Sequence, residues 1–400
     1  MTLSRRKFLQ MGTLASASLM VPGFLKGFEY STPLALPGGK ILIVVQLSGG
    51  NDGLNTVIPY RNDIYYKGRP SIGIKRDAAL ALTDDVGINP SLKNIKQLYD
   101  NGQVSIINGV GYPHPDRSHF RSMDIWQSGS GANDLLATGW LGRYIDDAAA
   151  GSNAHNALAL EVDDTLSLAM KGAERNAIAV KDIAQFHAAA ANSYFTKMSA
   201  HSHEHEAQLA GYLYKTLRET SSAADYIYAQ SKIYTATQAY PDTQLGKRMS
   251  TIGALIGSGS ETRVYYVSHG SFDTHVSQPA RQDKLLAQLD DAIGALVADL
   301  KTSGRFNDVL IMTFSEFGRR VAQNASNGTD HGTAGNMFFI GGGLKKAGLY
   351  NELSALADLD EGDMEYDIDF RQVYATVLQK WLSADPRAIL GKKYSSLSFI

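Results

Sequence analysis

Asp273 and His275 form a pair whose side chains could bind a metal ion. One residue separates them, and in an extended chain the side chains of residues i and i+2 point to the same side. A carboxylate and an imidazole placed together are typical ligands of zinc. His269 lies close enough in the sequence to join them. A loop held by hydrogen bonds accounts for the pair equally well, so both interpretations stay open.

Further carboxylates and histidines follow other apolar runs of the chain. Asp52 lies in a Gly-rich turn, where a carboxylate could bind a divalent metal or could only cap the backbone. The resulting hypothesis is a site for one or two divalent ions, with zinc expected first and manganese, magnesium or calcium as alternatives. Its predicted ligands are Asp52, Asp273, His275, Glu316 and His331.

Ser118 is the candidate nucleophile. It precedes an apolar helical pattern that runs from Phe120 to Trp126. At a helix N-terminus a hydroxyl meets free backbone N–H groups and the positive end of the helix dipole, which favours a bound anion and helps to activate a nucleophile. A serine that only caps the helix would have the same position.

Polar residues beside these candidates could bind the substrate. Arg117 and His119 flank Ser118, and both side chains could hold an oxyanion. Asn51, in the Gly-rich turn, is the third substrate-binding candidate. Arg319 follows the last strong apolar run. We predict that it takes part in catalysis by clamping the oxyanion, with an ion pair to a neighbouring glutamate as the alternative.

Continuous apolar runs rich in β-branched residues precede these polar segments. Such runs are typical of strands buried on both faces of a parallel sheet. The clearest are Ile41–Leu47, Val104–Ile107, Val264–Val267 and Val309–Phe314. With helical patterns between them, such as Lys284–Leu300, they predict an α/β fold with a mostly parallel central sheet and helices on both faces. Ligands of such sheets bind beyond the carboxyl ends of the strands.

The first 30 residues are typical of an export signal, because Arg5 and Arg6 precede a modest apolar stretch, Phe8–Leu25. This pattern indicates the twin-arginine route; a basic amphipathic helix is the alternative. We therefore expect a bacterial protein that the twin-arginine machinery exports to the periplasm. Residues 31–400 are expected to form one α/β domain, which begins with a linker and carries a helical insertion at about residues 165–255.

The amino-acid composition of the chain excludes several classes of function and kinds of site. A formal net charge of −2 gives no general affinity for nucleic acid. The chain has no cysteine, which excludes disulfides, thiolate metal sites and an acylated-cysteine anchor. No membrane span is expected beyond the signal. We interpret the polar cluster His201–Glu206 as a solvated surface rather than a metal site.

Taken together, the motifs resemble those of the twin-arginine-exported family known as domain of unknown function 1501. The resemblance extends from Arg5 to the final helix. The segments that carry it are Gln46-Leu47-Ser48-Gly49-Gly50-Asn51-Asp52-Gly53-Leu54-Asn55, Phe272-Asp273-Thr274-His275, Ser315-Glu316-Phe317-Gly318-Arg319 and Thr329-Asp330-His331-Gly332. That family is in turn similar to the alkaline phosphatase and sulfatase superfamily, which implies an alkaline-phosphatase-like fold, two metal ions and a nucleophile at a helix start.

The resemblance also implies roles for single positions. Asp52 matches a metal-binding aspartate after the first strand, and Ser118 falls near the nucleophile. Asp273 and His275 resemble an Asp/His ligand motif with a shorter spacing. His331 matches a metal-binding histidine in the G-T-H-G segment of nucleotide pyrophosphatases.

Two departures from the superfamily affect one metal position. Glu316 stands in place of an aspartate, and Phe317 stands in place of a metal-binding histidine and cannot bind metal. Asp330, in the neighbouring loop, is a candidate replacement ligand. A one-metal enzyme and a pseudoenzyme both fit these departures.

The sequence thus leads to three hypotheses. The first is an exported metal-dependent hydrolase of phosphate or sulfate esters of a small molecule or glycan, in which metal activates Ser118 or a water molecule. The second is a non-catalytic exported protein on the same fold that binds a ligand or partner. The third is a hydrolase without metal that uses Ser118 and a histidine.

Overall fold

The computed structural model describes residues 39–149, 158–192 and 208–400. The predicted export signal and the His201–Glu206 cluster lie outside the described residues. Among the helices of the described part, none is both long and apolar enough to cross a membrane.

The strands and helices of these residues are numbered here along the chain. The strands are β1 Ile41–Leu47, β2 Val57–Ile58, β3 Leu80–Ala81, β4 Gly87–Ile88, β5 Val104–Gly111, β6 Ala159–Glu161, β7 Ile178–Ala179, β8 Val264–His269, β9 Val309–Phe314, β10 Gly335–Gly341, β11 Gly348–Leu349, β12 Leu359–Asp360, β13 Asp363–Met364 and β14 Ile368–Asp369. The helices are α1 Gly53–Thr56, α2 Asp63–Gly68, α3 Lys93–Asp100, α4 His119–Ser128, α5 Trp140–Ala148, α6 Ile183–Ala190, α7 Gln208–Ile233, α8 Gln244–Gly257, α9 Gln278–Thr302, α10 Phe370–Thr376 and α11 Pro386–Leu390.

Nine of the described strands form one sheet in the order β11-β5-β10-β9-β1-β8-β6-β7, with β14 paired to β5. The central strand β1 is parallel to β8 and β9, and β6 and β7 continue the parallel arrangement. Strand β10 is antiparallel to both β9 and β5. The predicted mostly parallel sheet is confirmed. The carboxyl ends of β1, β5, β6, β7, β8 and β9 and the amino end of β10 share one side of the sheet, called here the carboxyl edge.

The apolar run of β1 is continuous because both of its faces are buried. Ile43 and Val45 point into one hydrophobic cluster, and Leu42 and Val44 point into the other. All four side chains are fully buried. Alternating side chains therefore supply two cores, as a strand covered on both faces requires.

Helices cover both faces, as predicted. On one face, α9 buries a helical stripe against the sheet; its residues include Leu289, Ile293, Leu296 and Leu300. On the other face, the rings of Trp140 in α5 and Tyr374 in α10 stack with centroids 4.2 Å apart. Helix α9 starts at Gln278, six residues before the predicted pattern.

The stretch expected to be a helical insertion contributes α6, α7 and α8 in its described part. It also contributes β7, which pairs with β6 at one end of the sheet. This stretch is therefore joined to the sheet, and α8 packs with α9 in the hydrophobic cluster on one of its faces.

Candidate metal centre

Side chains from four loops meet at the carboxyl edge. His119 follows β5, Asp273 and His275 follow β8, Glu316 follows β9, and His331 precedes β10. These residues are far apart in the sequence, but their strands are neighbours or near neighbours in the sheet. The polar segments picked out in the sequence therefore form one site, at the position where open α/β sheets bind ligands.

Three imidazole Nε2 atoms surround one carboxylate oxygen, Oδ1 of Asp273. The separations are 3.0 Å for His275, 3.3 Å for His331 and 3.5 Å for His119. The Nε2 atoms of His275 and His331 are 3.0 Å apart. His119, Asp273 and His331 offer ligand atoms that all lie within 4.8 Å of one another. Imidazole nitrogens and one carboxylate are a ligand set that zinc prefers.

The other nitrogen of each ring faces an acceptor. The pairs are His119 Nδ1 with Glu316 Oε1 at 2.8 Å, His331 Nδ1 with the Arg117 carbonyl oxygen at 2.8 Å, and His275 Nδ1 with Asp330 Oδ1 at 3.2 Å. An acceptor at Nδ1 keeps the proton on that nitrogen and leaves the lone pair of Nε2 facing the centre. This is the second layer of contacts usual around metal-binding histidines.

His119 has a buried Nε2 atom that makes no hydrogen bond. Buried polar atoms nearly always have a partner, so a cation fits in front of this nitrogen. The hydrogen bond with Glu316 raises the pKa of His119. Burial lowers the pKa of His331, which favours the neutral ring that metal binding requires.

Asp273 is kept ionised by Arg319. Burial alone would raise its pKa, but the hydrogen bond and charge of Arg319, whose Nη2 lies 2.7 Å from Oδ1, hold the pKa of Asp273 at about 2. The Arg319 side chain is itself fully buried. Its other nitrogens donate to the carbonyl oxygens of Gly50 at 2.6 Å and Thr329 at 2.9 Å. The residue predicted to clamp an oxyanion is thus enclosed by loops and positions Asp273.

Glu316 and Asp52, both predicted as metal ligands, are occupied by other partners. Glu316 is buried, and its Oε1 accepts from the Gly49 N–H at 2.8 Å as well as from His119. Asp52 caps α1 and forms an ion pair with Arg69 at 2.6 Å, with both side chains fully buried. Glu316 thus supports His119, whereas Asp52 is paired with Arg69 away from the three histidines.

The predicted substrate-binding residues separate into different environments. Asn51 is buried, and its amide donates to Thr56 at 2.9 Å within the turn. His119 lies with His275 and His331 around Asp273. Ser118 is exposed and occupies the N-cap position of α4, and its side chain makes no capping hydrogen bond. Ser118, the predicted nucleophile, therefore lies exposed at a helix N-terminus.

Arg117 is held by a buried carboxylate, Asp363, that the sequence did not single out. The two form an ion pair in which Asp363 is 1% exposed. Arg320 approaches the same carboxylate, with Nε 3.6 Å from Oδ1. Burial raises the pKa of Asp363, and the charge of Arg117 opposes that rise. No local motif marks Asp363, because its partners come from other parts of the chain.

Phe317 packs against two of the histidines. Its ring centroid lies 4.8 Å from that of His119 and 4.6 Å from that of His331. The same ring occupies the space where a Cβ atom on Gly50 would lie, and Gly50 has a φ of +72°. Phe317 thus forms an apolar wall against the two imidazoles.

The sequence of this chain was compared with those of known protein families and curated proteins. The sequence profile of a family described as "Protein of unknown function (DUF1501)" matches residues 39–393. No curated protein matches the chain.

Several solved structures are similar to this chain at low sequence identity. A phosphonate monoester hydrolase from Silicibacter pomeroyi is 8% identical, with a TM-score of 0.42 and coverage of 90% of this chain and 78% of that one. A protein in the alkaline phosphatase superfamily from Vibrio parahaemolyticus is 10% identical, with a TM-score of 0.40 and coverage of 98% and 80%. A sulfatase from Pseudoalteromonas sp. is 12% identical, with a TM-score of 0.40 and coverage of 97% and 74%.

Proposed function

This chain belongs to the DUF1501 family, as its motifs predict, and on that premise we propose that it is an exported metal-dependent hydrolase of phosphate or sulfate esters. One observation carries the proposal. The Nε2 atoms of His119, His275 and His331 converge on Asp273, while an acceptor holds the opposite nitrogen of each ring.

We propose His119, Asp273, His275 and His331 as the metal ligands. Zinc suits a set rich in imidazole, whereas magnesium, calcium and manganese prefer oxygen ligands. When bound, a divalent ion supplies Lewis-acid stabilisation of negative charge on a phosphate or sulfate group.

The chain's own residues supply the other parts of the reaction. Ser118 is our proposed nucleophile, because its exposed hydroxyl lies at the N-terminus of the ten-residue helix α4, where the dipole favours an anion. Arg117, anchored by Asp363, and Arg320 keep about a third of their side chains exposed, 36% and 38%. We assign them to the oxyanion of the ester, since guanidinium groups bind such anions through paired hydrogen bonds.

Export remains part of the proposal. Arg5 and Arg6 before an apolar stretch support transport by the twin-arginine machinery to the periplasm. That route carries folded proteins, which suits a site whose ligands come from distant parts of the chain.

The test is elemental analysis of the folded, exported protein and of its His119→Ala and His331→Ala variants. His187→Ala is the matched control, because His187 is a partly buried histidine paired with Asp225 at 3.1 Å, on α6. We expect stoichiometric divalent metal in the wild type and control and its loss in the two variants. Ester hydrolysis should then disappear in Ser118→Ala. A wild-type protein without metal after reloading would overturn the proposal.

Two observations favour alternative functions. The Arg319 side chain is fully buried, and Phe317 stands where the superfamily resemblance implies a metal-binding histidine, which suits a protein that binds metal or a partner without catalysis. Metal binding with no turnover of any ester would identify such a protein. The 2.8 Å contact between His119 and Glu316 suits a base oriented by a carboxylate in a metal-free hydrolase. Activity that depends on Ser118 but resists chelators would identify that reaction.

A further inference from the structure

Gln278, the first residue of α9, is a fully buried glutamine that contacts two loops of the metal centre. Its Oε1 accepts from the hydroxyl of Thr329 at 2.6 Å and from that of Thr274 at 3.2 Å. Thr274 stands between the two proposed ligands of the loop after β8, and Thr329 stands two residues before the ligand of the loop that leads into β10. One buried oxygen atom is therefore bonded to the two loops that supply three of the four proposed ligands.

The amide nitrogen of Gln278 is held from the opposite side. Its Nε2 donates to Oδ2 of Asp52, which is paired with Arg69, and to Oε1 of Gln282 at 3.3 Å. The backbone N–H of Gln278 donates to the Asn327 carbonyl oxygen at 2.8 Å. These acceptors oppose a rotation of the amide that would turn its nitrogen toward the threonines. Buried contacts thus fix the orientation that presents Oε1 to the two hydroxyls.

The backbones of the two loops are in direct contact. A Cβ atom on Gly328 would lie 2.2 Å from both the carbonyl carbon and the carbonyl oxygen of His275, so only glycine fits there. The Thr329 N–H donates to the Thr274 carbonyl oxygen at 3.4 Å. Across this contact, the Nε2 atoms of His275 and His331 are 3.0 Å apart. A small shift between the loops would change that separation, and metal–ligand distances vary by only about 0.2 Å.

We infer that Gln278 is a positioning residue, which holds the loop of Asp273 and His275 against the loop of His331 at the spacing that a metal ion needs. The inference rests on the proposed function of the metal centre. Gln278 acts on the ligands through two threonine hydroxyls rather than by contact with the ion. Residues that orient metal ligands contribute about 10–100-fold to metal affinity. Because Gln278 acts one contact further out, we expect the lower end of that range.

The test compares Gln278→Met with Gln282→Met. Gln282 is a matched control because it is a buried glutamine one turn along α9 whose Nε2 donates to residues 51–56 instead of the ligand loops. Urea unfolding should show similar losses of stability in the two variants, since both lose buried hydrogen bonds. Competition with a zinc chelator of known affinity should show zinc binding about tenfold weaker in Gln278→Met and little changed in Gln282→Met. Equal zinc affinities in the two variants would overturn the inference.

Thr329→Val tests the same contact from its other end and nearly keeps the shape of the side chain. It removes the 2.6 Å hydrogen bond to Gln278 but leaves Thr274 as a donor, so zinc affinity should fall by less than in Gln278→Met. In the double variant Gln278→Met/Thr329→Val, the loss should be no larger than in Gln278→Met alone, because the two side chains act through one bond. Additive losses would show that they act independently and would contradict the inference.

Amide hydrogen exchange without metal distinguishes this inference from the proposed function. Exchange in residues 272–276 and 328–332 should be faster in Gln278→Met than in Gln282→Met, because the two loops lose a shared contact. If the wild type binds no zinc but exchange shows this difference, the proposed function fails and the role of Gln278 in holding the loops together stands. If the wild type binds zinc while zinc affinity and exchange are unchanged in Gln278→Met, the inference fails and the function stands.

Discussion

The Nδ1 atom of His119 lies 2.8 Å from Oε1 of Glu316, a carboxylate that is 1% exposed. The same oxygen accepts the Gly49 N–H at 2.8 Å. Three loops, those after β1, β5 and β9, are therefore joined at one oxygen atom. The orientation of the His119 ring is fixed by the fold before any ligand binds.

Glu316→Gln should weaken metal binding while the protein stays folded. The amide keeps the shape of the side chain but removes the charge that supports His119, and loss of such a contact costs about 10–100-fold in metal affinity. Competition with a chelator of known affinity measures the change. Glu352→Gln, at an exposed position, is the control. Equal affinities in both variants would show that Glu316 does not support a metal ligand.

Asp52→Ala should lower stability without removing metal. The substitution leaves the fully buried Arg69 without its partner, and breaking a buried ion pair in this way typically costs about 3–5 kcal/mol. Urea unfolding gives the free energy, and elemental analysis gives the metal per folded chain. Asp52→Asn/Arg69→Met, which removes both charges, should recover part of the stability. Loss of metal in Asp52→Ala at full stability would restore Asp52 as a ligand.

Local sequence patterns predict the strands and the position of the site. They do not predict the role of each polar residue within the site. The runs that form β1, β5, β8 and β9 are apolar at nearly every position, and parallel strands must bring their carboxyl ends together. Whether Asp52 binds metal depends on Arg69, which no spacing rule links to it. Likewise, Glu316 could be recognised as a support only once His119 was placed beside it.

Asp363→Asn should raise KM for ester substrates about tenfold while kcat changes less. Without the buried charge, Arg117 loses its anchor and must be ordered when the substrate binds, and hydrogen bonds to charged groups are worth about 1.5–3 kcal/mol. Steady-state kinetics measures both constants. Asp360→Asn, an exposed residue of the neighbouring strand β12, is the control. An unchanged KM would remove Arg117 from substrate binding.

The buried Glu161 carboxyl group should make the free energy of unfolding fall as pH rises. Burial raises its pKa from 4.5 to about 8, so the folded protein keeps a proton that the unfolded chain releases. Between about pH 5 and pH 8 this group lowers the free energy of unfolding by about 1.4 kcal/mol per pH unit. Glu161→Gln should remove that slope. The free energy of unfolding of the variant should therefore rise relative to that of the wild type as pH rises. Urea unfolding at several pH values tests this, and parallel curves would contradict it.

The antiparallel strand β10 completes both the centre of the sheet and the proposed ligand set. It separates β5 from β9 in the sheet, and its amino end delivers His331 to residues supplied much earlier in the chain. A nascent chain that has made β1, β5, β8 and β9 therefore still has a gap in its sheet and an incomplete ligand set. Under the proposed function, we therefore expect the ion to bind late in biosynthesis, once the sheet is complete.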